Sequence, residues 1–177
     1  MVLGFSSGSA VALDAAAVTP GITKIALYEP PFIVDDGRPG IAADYVAHLN
    51  KLVADGKRGD AVKYFMTQAV RIPAEYLGGM DQDPSWDTML KAAHTIAYDG
   101  AFVADLMQGK PLPTDRWANV TGPTLVIEGG ASEAWFHSGG DALAKVLKNA
   151  TRENLEGPNH MVAPDAIAPV LEEFFKG

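Results

Sequence analysis

The chain has no cysteine among its 177 residues, so it holds no disulfide, no thiolate metal site and no cysteine nucleophile. That narrows the chemistry and leaves the compartment open. Positive charge is scarce as well. Fourteen Lys and Arg stand against 22 Asp and Glu, the net charge is -8, and the basic residues are scattered, so no phosphate-binding face is expected. Nucleic acid is therefore not an expected partner. No apolar run reaches the roughly 20 residues that span a bilayer, and no basic residue precedes Lys24 to make a signal sequence of the apolar start. The expectation is a soluble protein with no membrane partner and a cytoplasmic location. No histidine pair has HxxxH spacing, which leaves zinc without support; no metal or organic cofactor is implied.

What the chain does have is an ordinary globular composition, 47% hydrophobic and 20% charged, in a length that suits one domain with a sizeable core. The stretch that organises it is Val2-Leu3-Gly4-Phe5-Ser6-Ser7-Gly8-Ser9-Ala10: an apolar run, a glycine-flanked serine, then a small-residue helix. Gly4-x-Ser6-x-Gly8 fits the nucleophile elbow, in which a serine on a tight strand-to-helix turn presents its hydroxyl clear of the backbone. Side chains at either glycine are expected to collide with neighbouring chain. By itself the pattern is weak, and a Gly/Ser-rich turn is the bland reading.

Context follows in the chain. The helix after the serine runs from residue 7 to 18 and ends at Thr19-Pro20-Gly21, where proline cannot continue it. Lys24 to Tyr28 is a short strand stopped by Glu29-Pro30-Pro31, and strand, helix and strand in this order make a βαβ unit with parallel strands. From Phe32 to Trp117 only helical patterns occur: residues 43–54, 60–70 and a long one over 86–107. This block, 32–117, reads as a helical insertion into a single domain whose sheet core is 1–31 and 118–177. Pro123 to Glu128 is a strand ending in Gly129-Gly130, residues 140–147 a helix, and Thr151 to Glu156 a weaker strand. The loop Gly157-Pro158-Asn159-His160 then leads into a last helix over 164–175. The fold class is α/β, a parallel sheet of about four strands with a helical insertion between the second and third.

The elbow at Gly4 to Gly8, the strand ending in Tyr28-Glu29-Pro30-Pro31, the Pro123-Thr124-Leu125-Val126-Ile127 strand and the late His160 loop stand in one order, and in that order the chain resembles the C-terminal part of an α/β-hydrolase. Full-length members have several strands before the elbow, whereas only Met1, Val2 and Leu3 precede it here. The resemblance thus implies a truncated sheet, no loop to supply a second oxyanion donor, and a first strand with a bare edge. Either the chain is a fragment, or a second copy covers that edge in a homodimer.

The resemblance also implies site residues. Ser6 is the candidate nucleophile, the Ser7 backbone N–H a candidate oxyanion donor, and His160 the base, being in the loop after the last strand. The usual carboxylate position, three residues after Gly129, holds Ser132, which cannot serve as an ionised acid. Glu29, after the strand beside the elbow, is the first choice for the acid, Glu133 the second, and a Ser–His dyad the remaining option. The implied activity is a serine hydrolase cleaving small-molecule carboxylic esters of small to medium apolar acyl groups. The opposing reading is a non-catalytic scaffold that binds a ligand or partner. Ser7 and Ser9 side chains, His48, His94 and His137 are read as structural.

Overall fold

A computed structural model describes all residues from Met1 to Gly177. The chain divides into two compact units, one formed by Met1–Gly40 and Gly109–Gly177, the other by Ile41–Gln108. No helix is long and apolar enough to cross a membrane.

The first unit is built on a four-stranded, wholly parallel sheet in the order β1-β2-β3-β4, with β1 at Val2–Phe5, β2 at Ile25–Tyr28, β3 at Thr124–Gly129 and β4 at Ala150–Leu155. β2 and β3 are buried along their whole length, as their near-continuous apolar sequences require of central parallel strands. β4 is a polar edge whose middle is exposed, and β1 is the other edge, with Leu3 and Phe5 each 42% exposed.

Helices cover both faces. α1 (Gly8–Val18) packs on β1 and β2, and α6 (Ala134–Val146) on β3 and β4. α7 (Pro164–Lys176) lays Ile167, Val170, Leu171 and Phe174 over Ala26, Tyr28, Leu125 and Ile127, alternate residues that share one sheet face. Pro164 opens α7, where its missing N–H costs nothing.

The unit Ile41–Gln108 is wholly helical: α2 (Tyr45–Ala54), α3 (Arg58–Gln68), α4 (Trp86–Ala92), α5 (Ile96–Val103) and short 3-10 turns. The long helix expected over 86–107 is broken by a 3-10 turn at Ala93–Thr95. There His94 Nδ1 and Thr95 Oγ1 bond back to the carbonyls of Lys91 and Ala92, at 3.0 and 2.8 Å, in competition with the helical ladder. Apolar spacing alone does not register such a break, because one tightened turn moves the stripe by little.

α6 begins six residues before the expected start at Gly140. Gly139 and Gly140 look like helix breakers but are demanded by packing. A Cβ at Gly139 would lie 2.5 Å from the Phe32 carbonyl oxygen, and one at Gly140 would lie 1.7 Å from Glu128 Oε1.

Candidate active site

The first element of the site is the turn after β1. Ser6 has φ of +51°, a left-handed conformation that a serine adopts only when its surroundings impose it. Those surroundings are plain: its N–H donates to the Tyr28 carbonyl at 2.9 Å, and its own carbonyl accepts from Ser9 N–H at 2.9 Å as α1 begins. Gly4 lets α1 close on the strand, since a Cβ there would lie 2.6 Å from Ser9 Cα. The second glycine is different. A Cβ on Gly8 meets nothing within 4 Å, so the expected collision occurs at one flank only. The buried Ser9 hydroxyl donates to the Gly4 carbonyl at 3.2 Å and so belongs to the turn's framework. Ser7 precedes α1 with helical φ and ψ, and its side chain makes no capping bond.

β1 and β2 are in register, Phe5 opposite Tyr28, so Ser6 and Glu29 are the first residues past two neighbouring strands at the same carboxyl end. Adjacent strands lie about 4.8 Å apart. Glu29 also has positive φ, +46°, and is fully buried. One carboxylate oxygen, Oε1, accepts from Gly129 N–H at 2.8 Å and from the Ser132 hydroxyl; the other, Oε2, faces His160 Nδ1 at 2.8 Å. Burial pushes this carboxyl up, but the bonds from His160, Ser132 and Gly129 and the charge of His160 outweigh it and hold Glu29 below the ordinary carboxylate range. Glu29 is therefore an anion at neutral pH. An ionised acceptor at Nδ1 assigns the proton of neutral His160 to that nitrogen and leaves Nε2 as the basic one.

His160 is gripped by aromatic rings. Phe136 stacks on it, with centroids 4.9 Å apart and planes 17° apart, and Phe5 leans on it at 5.5 Å. Phe5 in turn stacks on Tyr28 at 5.0 Å, and the Tyr28 hydroxyl anchors the histidine's loop by donating to the Asn159 carbonyl at 2.6 Å. Burial and the Glu29 charge push Tyr28 up to about 12, so it stays a donor at any working pH. Ser6 thus sits at the same sheet end as the Glu29–His160 pair, with its neighbour Phe5 packed against His160. No hydrogen bond joins Ser6 Oγ to His160.

Glu133 has a different partner. Its carboxylate accepts from Trp135 Nε1 at 2.5 Å, and its carbonyl accepts from Phe136 N–H as α6 starts. His137 Nδ1 meets Glu128 Oε2 at 2.9 Å, and Arg152 grips both oxygens of the same buried Glu128, at 3.2 and 2.7 Å. His48 lies tilted against Tyr64, with centroids 4.3 Å apart, within the helical unit. Sequence reasoning passed over Glu128 and the grip of Phe136 on His160. A carboxylate closing an otherwise apolar strand was the available signal for Glu128; nothing local marked Phe136.

Comparison with known proteins bears on the family and the fold. The model of the alpha/beta hydrolase family matches residues 1–173. Among solved structures, an alpha/beta hydrolase from Sphaerobacter thermophilus DSM 20745 is 47% identical with a TM-score of 0.85, over 99% of this chain and 66% of that one. Lower identities, which speak for the fold alone, come from MGS-M2, an alpha/beta hydrolase enzyme from a Medee basin deep-sea metagenome library (16%, TM-score 0.56, 99% of this chain and 64% of that one), and from the enol-lactonase of Burkholderia xenovorans LB400 (18%, TM-score 0.56, 99% and 65%). No functionally curated protein matches the chain. The chain spans just under two thirds of the length of each of these structures. On the family match along nearly its whole length, and on close identity to a solved member, the chain belongs to the alpha/beta hydrolase family.

Proposed function

We propose that the protein is a serine hydrolase that cleaves small-molecule carboxylic esters of small to medium apolar acyl groups through an acyl-enzyme. Ser6 Oγ attacks the ester carbonyl while His160 Nε2 takes its proton. Glu29 holds the ring by Nδ1–H and steadies the imidazolium, which then protonates the departing alcohol. Water, activated by the same nitrogen, releases the acid and restores Ser6. The Ser7 N–H, the first past the nucleophile at the start of α1, serves as one oxyanion donor.

The observation that carries this reading is the pairing of a left-handed Ser6 with a buried, ionised Glu29 already bonded to His160 at the same end of two paired strands. The exposed aromatic Phe5 beside the serine favours an apolar acyl group. One observation favours the opposing reading, a non-catalytic scaffold: Ser6 and His160 are not hydrogen-bonded. Catalytic hydrogen bonds often close only when substrate is bound. Hydrolysis of p-nitrophenyl acetate and butyrate by the wild type and by Ser6→Ala decides between the two. Loss of turnover in the variant is expected; equal rates leave only the scaffold.

The helical block 32–117 is read as the cap insertion of this single hydrolase domain, from its place in the chain between β2 and β3. We also propose a cytoplasmic homodimer that pairs along β1, an edge strand of this sheet whose Leu3 and Phe5 lie 42% exposed. Light scattering checks it, and a monomer at working concentration refutes it.

A further inference from the structure

We propose that Ser132, the residue standing where the sequence lacks its expected acid, is a positioning residue for Glu29 and sets the basicity of His160 through it. This rests on the reading of Ser6, His160 and Glu29 as the reacting set. Ser132 lies in a tight turn after β3, its N–H bonded to the Gly129 carbonyl at 3.0 Å, and that turn is tied to the histidine's loop by Ala131 N–H donating to the Pro158 carbonyl at 3.0 Å. Gly129 is obligatory there, because a Cβ would lie 2.3 Å from the Pro158 oxygen. The turn therefore delivers two donors, Gly129 N–H and the Ser132 hydroxyl, to one oxygen of Glu29, Oε1, while His160 takes Oε2.

The chemistry of that division is specific. Glu29 leaves its strand with a left-handed backbone and is completely buried, so its carboxylate is shielded from bulk solvent and its charge is met by the protein's own donors. Two donors on Oε1 fix the plane of the carboxylate, and with it the direction in which Oε2 meets Nδ1. They also withdraw charge from Oε2. Removing the Ser132 hydroxyl frees the carboxylate to rotate and leaves it a stronger partner for the imidazolium, which then holds its proton more tightly. Ordinary packing has no such consequence.

The test is the pH dependence of p-nitrophenyl ester hydrolysis in Ser132→Ala, Ser132→Thr and Ser6→Ala, with circular dichroism as the check on folding. Ser132→Ala is expected to lose about tenfold in kcat, as fits one charge-assisted donor of three, with KM little changed and the acid limb of kcat/KM moved to higher pH. Ser132→Thr, which keeps the hydroxyl, restores both. Should Ser132→Ala fail to fold, Ser132→Cys, of similar size with a weak donor, carries the same two expectations. Wild-type kcat and an unmoved acid limb in the alanine variant overturn the proposal. So does equal impairment of the alanine and threonine variants without movement of that limb. Full activity in Ser6→Ala is a separate result and removes the underlying reading instead.

Discussion

Replacing Glu29 with glutamine tests the acid assignment most sharply, because the structure fixes which way the amide turns. The carboxylate accepts from Gly129 N–H and Ser132 on Oε1 and faces His160 on Oε2. A carboxamide has one acceptor and one donor end. Turning its NH2 toward Gly129 strands a buried backbone N–H, at a cost of about 1–3 kcal/mol. The amide oxygen therefore keeps the Oε1 place, and the NH2 points at His160 Nδ1. That nitrogen must then accept, the ring proton moves to Nε2, and the base that Ser6 needs is gone. Loss of the orienting carboxylate and the correct tautomer together is worth about four orders of magnitude in kcat, or about 5 kcal/mol of barrier. Folding stability near neutral pH changes far less, since every buried donor keeps a partner. The assay is kcat/KM on p-nitrophenyl butyrate beside urea unfolding of the same preparation. A loss of less than tenfold, or one matched by unfolding at the assay temperature, refutes the reasoning.

Other outcomes follow from the same contacts. Gly4→Ala, whose Cβ would lie 2.6 Å from Ser9 Cα, is expected to destabilise the fold by about 3 kcal/mol in urea titration. Gly8→Ala, with nothing within 4 Å, is expected to leave stability unchanged or raise it by about 0.5 kcal/mol, although both glycines belong to the same motif. Gly140→Ala drives Glu128 off Arg152 and His137 and is expected to cost about 3 kcal/mol or more, measured in the same way. Asp14 is pushed up by burial and pulled further down by Arg116 and Trp117, so it too titrates below its ordinary range. Since Asp14 and Glu29 are both lowered in the folded state, their contribution is complete above about pH 4.5 and is lost as pH falls through their folded values. Urea titrations from pH 6 downward are expected to show that decline, and Asp14→Asn to make it shallower.

Much of the fold was legible because it is written in short-range pattern. Two apolar runs that turned out buried end to end, β2 and β3, could only be central parallel strands, and Thr19-Pro20-Gly21 could only end a helix. The two misread helices differ in cause: the break at Ala93–Thr95 is local, made by His94 and Thr95 bonding back to Lys91 and Ala92, and the one at Gly139-Gly140 is not. Gly139-Gly140 looks like a helix boundary, and the reason for the glycines lies far away in the chain, in Phe32 and Glu128. The same holds at the site. Ser6 was singled out by local spacing together with the order of the later elements, while the preference for Glu29 over Glu133 rested on where the family places its acid; the neighbours of neither residue could settle the choice. It depended on which carboxylate came within reach of His160, 131 positions from Glu29.

The sequence by itself determined the α/β order of elements and the glycine-flanked serine turn, and it named the side chains proposed for acyl transfer, because strand, helix and turn preferences act over a few residues. Only the tertiary structure decided that Glu29 is buried, ionised and bonded to His160, that Ser132 supports it, and that Glu133 is spent on Trp135. Those outcomes arise where the ends of β1, β2 and β3 and the loop after β4 converge, and the energies of such contacts belong to the packed whole.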